Sequence, residues 1–132
     1  MYPVTLNSFV VPDVITKTGT LPPVPQAVWD DVVVLLPWTI YLFSGDKSAL
    51  RTCWNGMRKY VDEVIPRDGD GLWDPQLWQL ADWLDPAAPP NDPGAGRADG
   101  TLVADAYLVH VTRVMYRISK VLNEPDEVTE KY

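Results

Sequence analysis

Three tryptophans and seven aspartates crowd one irregular stretch, and their spacing is suited to gripping a sugar. Gly71-Leu72-Trp73-Asp74-Pro75 and Ala81-Asp82-Trp83-Leu84-Asp85-Pro86 lie within residues 66–100, with Trp78 between them. An indole face stacks on the apolar C–H face of a pyranose, while a neighbouring carboxylate accepts from its hydroxyls. Long irregular loops in compact domains are functional or disordered. Disorder goes with few aromatics, so three tryptophans argue for function. A carbohydrate site is the expectation.

Two helical regions must hold this loop. Residues 1–27 read as an irregular leading segment, because Pro3, Pro12, Pro22, Pro23 and Pro25 preclude a long helix. Phe9-Val10-Val11 and Val14-Ile15-Thr16 are short enough to be extended. Residues 28–65 predict an αα-hairpin. Its first helix, from Trp29 to Phe43, is apolar on two sides and is therefore expected to be buried. Asp30 and Asp31 sit at its positive N-terminus, Pro37 is expected to kink it, and Gly45 to stop it. Asp46 then caps a second helix to about Ile65, with Leu50, Cys53, Trp54, Met57, Val61 and Val64 on one face. Pro66 ends it.

After the loop of residues 66–100, Asp99 or Thr101 can cap a third helix to about Asn123. Val103, Tyr107, Val111, Val114, Ile118 and Leu122 form its expected stripe. Asn123-Glu124-Pro125 breaks it, and residues 125–132 begin another helix. Two turns are not stable alone, so residues 1–132 are expected to be one partial domain cut in mid-element. The predicted fold class is all-α.

Composition narrows the function classes. The 132 residues carry a net charge of −7 and 46% apolar residues. Clustered Lys/Arg for phosphate is lacking, so nucleic acid is not an expected partner. An acidic chain is equally unsuited to an anionic membrane. No apolar run is long enough to span a bilayer, and the N-terminus has no signal-peptide pattern; the compartment is left open. Cys53 is the one cysteine, expected to act as a small hydrophobe. His110 has no Cys/His partner at ligand spacing. There is no phosphate loop, no G-x-S-x-G and no Cys/His nucleophile set. No metal or cofactor is expected.

Several ordered motifs resemble one family. Val28-Trp29-Asp30-Asp31 through Pro37-Trp38-Thr39-Ile40-Tyr41 resembles the W-G-D-A-x-x-x-x-P-W-x-x-Y helix start of α-L-rhamnosidases of glycoside hydrolase family 78. Gly45-Asp46, Leu50 and Tyr60-Val61 are similar to that family's second helix. Asp70-Gly71-Leu72 and Ala81-Asp82-Trp83-Leu84-Asp85-Pro86 resemble its G-D-W-L-D-P loop, and residues 94–107 resemble the return into a helix. The resemblance implies a partial (α/α)6 barrel of the six-hairpin kind. It implies hydrolysis of terminal α-L-rhamnose from plant glycosides and polysaccharides, with inversion. It implies substrate-binding roles for Trp29, Asp31, Asp82 and Trp83. Asp30 and Ala81 stand where the family usually has Gly, adding bulk at tight backbone positions. The family's general acid and general base are both Glu in stretches outside these residues, so no catalytic residue is assigned here, and the isolated chain is expected to be an inactive internal piece.

Other readings stay open at the level of residues. Trp29 can be a sugar platform or a packing residue at a helix start, and Asp82 a hydroxyl acceptor or a loop-stabilising carboxylate. Trp38 and Trp54 are expected in the core, and Trp73 and Trp78 to pack within the loop. Asp74 and Asp85 precede prolines and read as turn residues. The chain as a whole can also be a non-catalytic helical interaction module, or a portion of another sugar-active (α/α)6 enzyme.

Overall fold

The structure is a computed structural model that describes residues 25–82, 85–92 and 95–132. Among these the chain is helical, with no strand and one isolated antiparallel bridge between Arg67 and Trp73. The apolar runs expected near residues 9–16 lie outside the described residues, as does Trp83.

Helix α1 spans Val32–Ser44. It begins three residues later than Trp29, because residues 27–31 form a turn. Gly45 ends it in the left-handed region at φ 70°, its N–H donating to the Tyr41 carbonyl at 2.8 Å. That conformation is costly for any residue with a Cβ. Pro37 lies inside α1 and is buried. Helix α2 spans Ser48–Lys59. The Asp46 carboxylate accepts from the Ser48 N–H at 2.9 Å and from the Ser48 hydroxyl, supplying the expected cap. The helical path continues through a π-turn over Tyr60–Val64, which no residue pattern signalled.

Helix α3 spans Gly100–Leu122 and is capped by Asp99, whose side chain accepts from the Leu102 N–H at 3.0 Å. Asn123 closes it at φ 58°, a region Asn tolerates better than most residues. Helix α4, Asp126–Thr129, follows Pro125. Its Thr129 is buried.

The helices pack α1 on α2 and both on α3. Leu50, Trp54, Met57, Tyr60 and Val61 meet Leu108, Val111, Val114, Met115 and Ile118 in one core, with Val34 from α1 and Trp73 from the loop. On α3 the expected stripe is buried at Val111, Val114 and Ile118, whereas Val103, Tyr107 and Leu122 are only partly buried and Ala104, Leu108 and Met115 join the core instead. Cys53 sits at the core margin, and burial pushes its thiol up.

The expectation of a fully buried α1 is corrected. Only Val34 and Pro37 are buried, and Val32, Leu36, Ile40 and Phe43 are exposed, Phe43 by 90%. These four recur at helical spacing on one side. The other side faces α2 and α3, and nothing among the described residues covers the first.

Candidate functional site: a loop wall tied to the Trp29 turn

The site is assembled by two glutamines that the motif reading passed over. The Gln26 side chain accepts from the Leu80 N–H at 2.8 Å and donates to the Trp78 carbonyl at 3.2 Å. Gln79 answers from the other side: its Oε1 accepts from the Ala27 N–H at 2.8 Å, and its Nε2 donates to the Pro25 carbonyl at 3.0 Å. Both glutamines are buried. The four bonds pair residues 25–27 with 78–80 much as a short ladder would, using side-chain amides in place of backbone groups. A buried amide satisfied in this way fixes register, because slipping would orphan several polar groups together. The signal available in sequence was a lone amide inside the apolar run Leu77-Trp78-Gln79-Leu80.

Above this clamp the chain turns through residues 26–31. The Asp30 carboxylate accepts from the Gln26 N–H at 2.7 Å, and Asp31 accepts from the Val28 N–H at 2.6 Å. Val28 is held at φ 73°, a true outlier for a β-branched residue. The strain persists because two carboxylates that follow Val28, Asp30 and Asp31, hold the turn by its backbone N–H groups. Its product is Trp29, 55% exposed at the crest.

Asp31 itself is buried, with 1% exposure. Its second oxygen accepts from the Tyr60 hydroxyl at 3.0 Å. Burial raises the pKa of Asp31 above its usual value, and that of Asp30 up to about 6. Tyr60 is raised by burial and by the adjacent Asp31. Asp31 thus braces the Trp29 turn against the π-turn after α2. The Asp30 carboxylate is accommodated by its bond to the Gln26 N–H.

On the loop side, Trp78, Asp82 and Thr101 border a concavity of about 320 Å³, with Pro75, Leu77, Gln79, Ala81, Gly96, Ala98 and Gly100. Trp78 is 47% exposed, which corrects the expectation that it packs within the loop. Trp73 does pack there: it is buried, and its backbone N–H donates to the Asp105 carboxylate on α3 at 2.9 Å. Trp54 is buried and Trp38 packs against the core. Two glycines keep the wall close. A Cβ on Gly100 would lie 2.7 Å from the Gln79 carbonyl oxygen, and one on Gly96 would lie 3.1 Å from the Asp82 Cβ.

The other loop carboxylates have structural partners. Asp85 meets Arg97 at 3.0 Å and accepts from the Ala87 and Arg97 N–H groups. The Arg97 guanidinium holds Asp85 well below the usual carboxylate range. Asp74 accepts from the Gln76 N–H, and Asp68 from the Asp70 and Leu72 N–H groups. Both are turn carboxylates. His110 is exposed, edge-on to Tyr107. Among the described residues, no group of three or more His, Cys, Asp or Glu side chains gathers as a metal would require. Nor is any described helix long and apolar enough to cross a membrane.

The clamp joins the turn that leads to Trp29 to the segment that leads to Asp82. The model of the bacterial alpha-L-rhamnosidase 6 hairpin glycosidase domain matches residues 5–132. The chain belongs to this family. Its all-α fold is accordingly that of a six-hairpin glycosidase. Among solved structures, the α-L-rhamnosidase of Aspergillus terreus is 41% identical and superposes over 83% of this chain with a TM-score of 0.78. Among characterised sequences, an α-L-rhamnosidase of Formosa agariphila is 29% identical over 90% of the chain. One from Alteromonas sp. is 25% identical over 60%. The chain spans 12% of the length of the first two relatives and 9% of the third.

Proposed function

We propose that this chain forms one wall of the sugar site of an inverting α-L-rhamnosidase. Its ligand is a rhamnose-containing glycoside or polysaccharide. Trp29 and Trp83 stack on the rhamnose ring, Asp82 accepts from its hydroxyls, and Asp31 acts on the sugar through the turn that carries Trp29. The observation that carries this reading is the reciprocal Gln26–Gln79 clamp. It ties the Trp29 turn to the segment ending at Asp82, although some fifty residues of sequence separate them.

Inverting hydrolysis needs a protonated carboxyl on one side of the scissile bond and a carboxylate to activate water on the other, roughly 6.5–9.5 Å apart. Asp85 does not suit the acid role, since Arg97 keeps it ionised. Asp30 and Asp31 are buried. The resemblance to the family implies that the acid and base come from outside these residues, from the rest of the catalytic domain. The exposed stripe of α1, Val32, Leu36, Ile40 and Phe43, is the face that neighbouring hairpins would cover.

A chimera tests the reading. The aligned segment of the Aspergillus terreus enzyme is replaced by this chain, and hydrolysis of an aryl α-L-rhamnoside is followed. Activity that falls on Trp29→Ala and on Asp82→Asn, chiefly in kcat/KM, is the expected result. Substitutions that leave kcat/KM unchanged would remove both residues from the sugar site.

A further inference from the structure

We propose that Tyr60 is a positioning residue for the rhamnose site: its hydroxyl, acting through Asp31, sets where the Trp29 indole stands. The proposal rests on the rhamnose reading for what Trp29 does there, and not for what holds Trp29 in place. Trp29 is 55% exposed, so the backbone of its turn, more than packing, decides where the ring points. That backbone is strained at Val28, whose φ of 73° is one a β-branched residue keeps only while something holds it. The bond on Val28 itself comes from the Asp31 carboxylate, 2.6 Å from its N–H. A carboxylate with a single partner can still turn about its side-chain bonds. Tyr60 supplies a second partner, donating to the other Asp31 oxygen at 3.0 Å.

Tyr60 is a fixed donor. It is fully buried, and its backbone is tied on both sides. Its N–H donates to the Gly56 and Met57 carbonyls, and its carbonyl accepts from the Ile65 N–H at 3.1 Å. The second bond closes the π-turn, a local widening of a helix that is frequent at functional sites. Burial and the adjacent Asp31 push the phenol up, so it stays protonated and keeps donating. Asp31 is anchored in turn, because its backbone carbonyl accepts from the Val34 and Leu35 N–H groups at 2.9 Å. One carboxylate residue thus joins the start of α1, the end of α2 and the Trp29 turn. The Tyr60 ring belongs to the hydrophobic core, a place that Phe would fill equally well. What Phe lacks is the oxygen, and the bond from that oxygen runs to the residue that holds the strained turn.

The test has two arms, both built on Tyr60→Phe, which removes the hydroxyl and keeps the ring. In the full 132-residue chain the indole N–H signal of Trp29, assigned with Trp29→Phe, is followed by NMR. Tyr60→Phe is expected to shift or broaden that signal and to leave those of Trp54 and Trp73 in place. It is also expected to speed exchange of the Val28 N–H about tenfold relative to amides in the middle of α3. An unmoved Trp29 signal overturns the positioning role. So does a Tyr60→Phe chain that loses signal dispersion throughout, because Tyr60 would then serve the core as a whole. In the Aspergillus terreus chimera, Tyr60→Phe is expected to lower kcat/KM for an aryl α-L-rhamnoside about fivefold, and less than about twofold once Trp29→Ala is present. An equal loss in both backgrounds shows that Tyr60 does not act through Trp29 and overturns the proposal. Trp29→Ala without effect on kcat/KM contradicts the rhamnose wall instead, while the NMR arm still decides whether Tyr60 fixes the indole, so the two failures are told apart.

Discussion

At the scale of single residues, the wall depends on groups whose roles are opposite to what their types suggest. Asp30 and Asp31 are charged residues at a candidate sugar site, yet both are buried and serve the backbone of the Trp29 turn. Burial lifts Asp30 to about 6 from 3.8. Between those values the folded chain holds more protons than the unfolded chain, so this group makes stability fall as pH rises from about 4 to 6. Asn at this position keeps an acceptor for the Gln26 N–H without the buried charge. Asp30→Asn is therefore expected to be more stable than the parent by about 1–3 kcal/mol at pH 7, with the difference vanishing near pH 4. Urea unfolding at the two pH values checks this; a difference independent of pH contradicts it. Gly100→Ala tests the close approach of α3 to the loop. The added Cβ would meet the Gln79 carbonyl at 2.7 Å, and overpacking against backbone costs about 1–3 kcal/mol. That outweighs the roughly 1 kcal/mol by which Ala favours a helix over Gly. A lowered melting temperature is the expected result, and a raised one would show that the loop yields freely. Trp29, Asp82 and Trp83 were marked in the sequence by their motifs. Gln26 and Gln79 were not, and Tyr60 was marked only as part of the second helix, because an amide or phenol becomes structural only through a partner distant in sequence.

At the scale of elements, local chemistry explains why some parts were legible and others were not. The stop at Gly45, the Asp46 and Asp99 caps and the break at Asn123 each depend on one or two residues acting on adjacent backbone. Spacing therefore revealed them. The π-turn over Tyr60–Val64 was not readable in this way. It carries Tyr60, which is bonded to Asp31 across 29 residues of sequence. A bond of that kind is set by tertiary packing. The same distinction separates Trp73 from Trp78: both are loop tryptophans, and only the position of α3 decides that one is core and the other is exposed. The clamp makes an element-scale prediction. Gln79→Ala leaves the Ala27 N–H without an acceptor inside the fold, which costs about 1–3 kcal/mol. It should also speed amide exchange across residues 26–31, measured by hydrogen exchange, while exchange in the middle of α3 follows only the change in global stability. Unchanged protection in residues 26–31 would show that the turn holds itself.

At the scale of the whole molecule, the exposed stripe of α1 and the loop wall belong together. A helix that reads as buried by composition but presents Val32, Leu36, Ile40 and Phe43 outward fits a toroid in which each hairpin is covered by the next. The 132-residue chain alone is expected to self-associate through that stripe. Leu36→Lys with Ile40→Glu should make it monomeric in sedimentation while shifting its unfolding midpoint little, since exposed positions contribute within about 0.5 kcal/mol each. Equal association of parent and variant would place the sticky surface elsewhere and favour an interaction module built on other faces. The central claim is that this chain supplies the stacking wall of a rhamnose site. It is tested most directly by NMR of products formed by the Aspergillus terreus chimera carrying this chain. Release of β-L-rhamnose from an aryl α-L-rhamnoside, with kcat/KM lowered at least about tenfold by Trp29→Ala, is the predicted result. A folded chimera that releases no rhamnose, or one indifferent to Trp29→Ala, would contradict it.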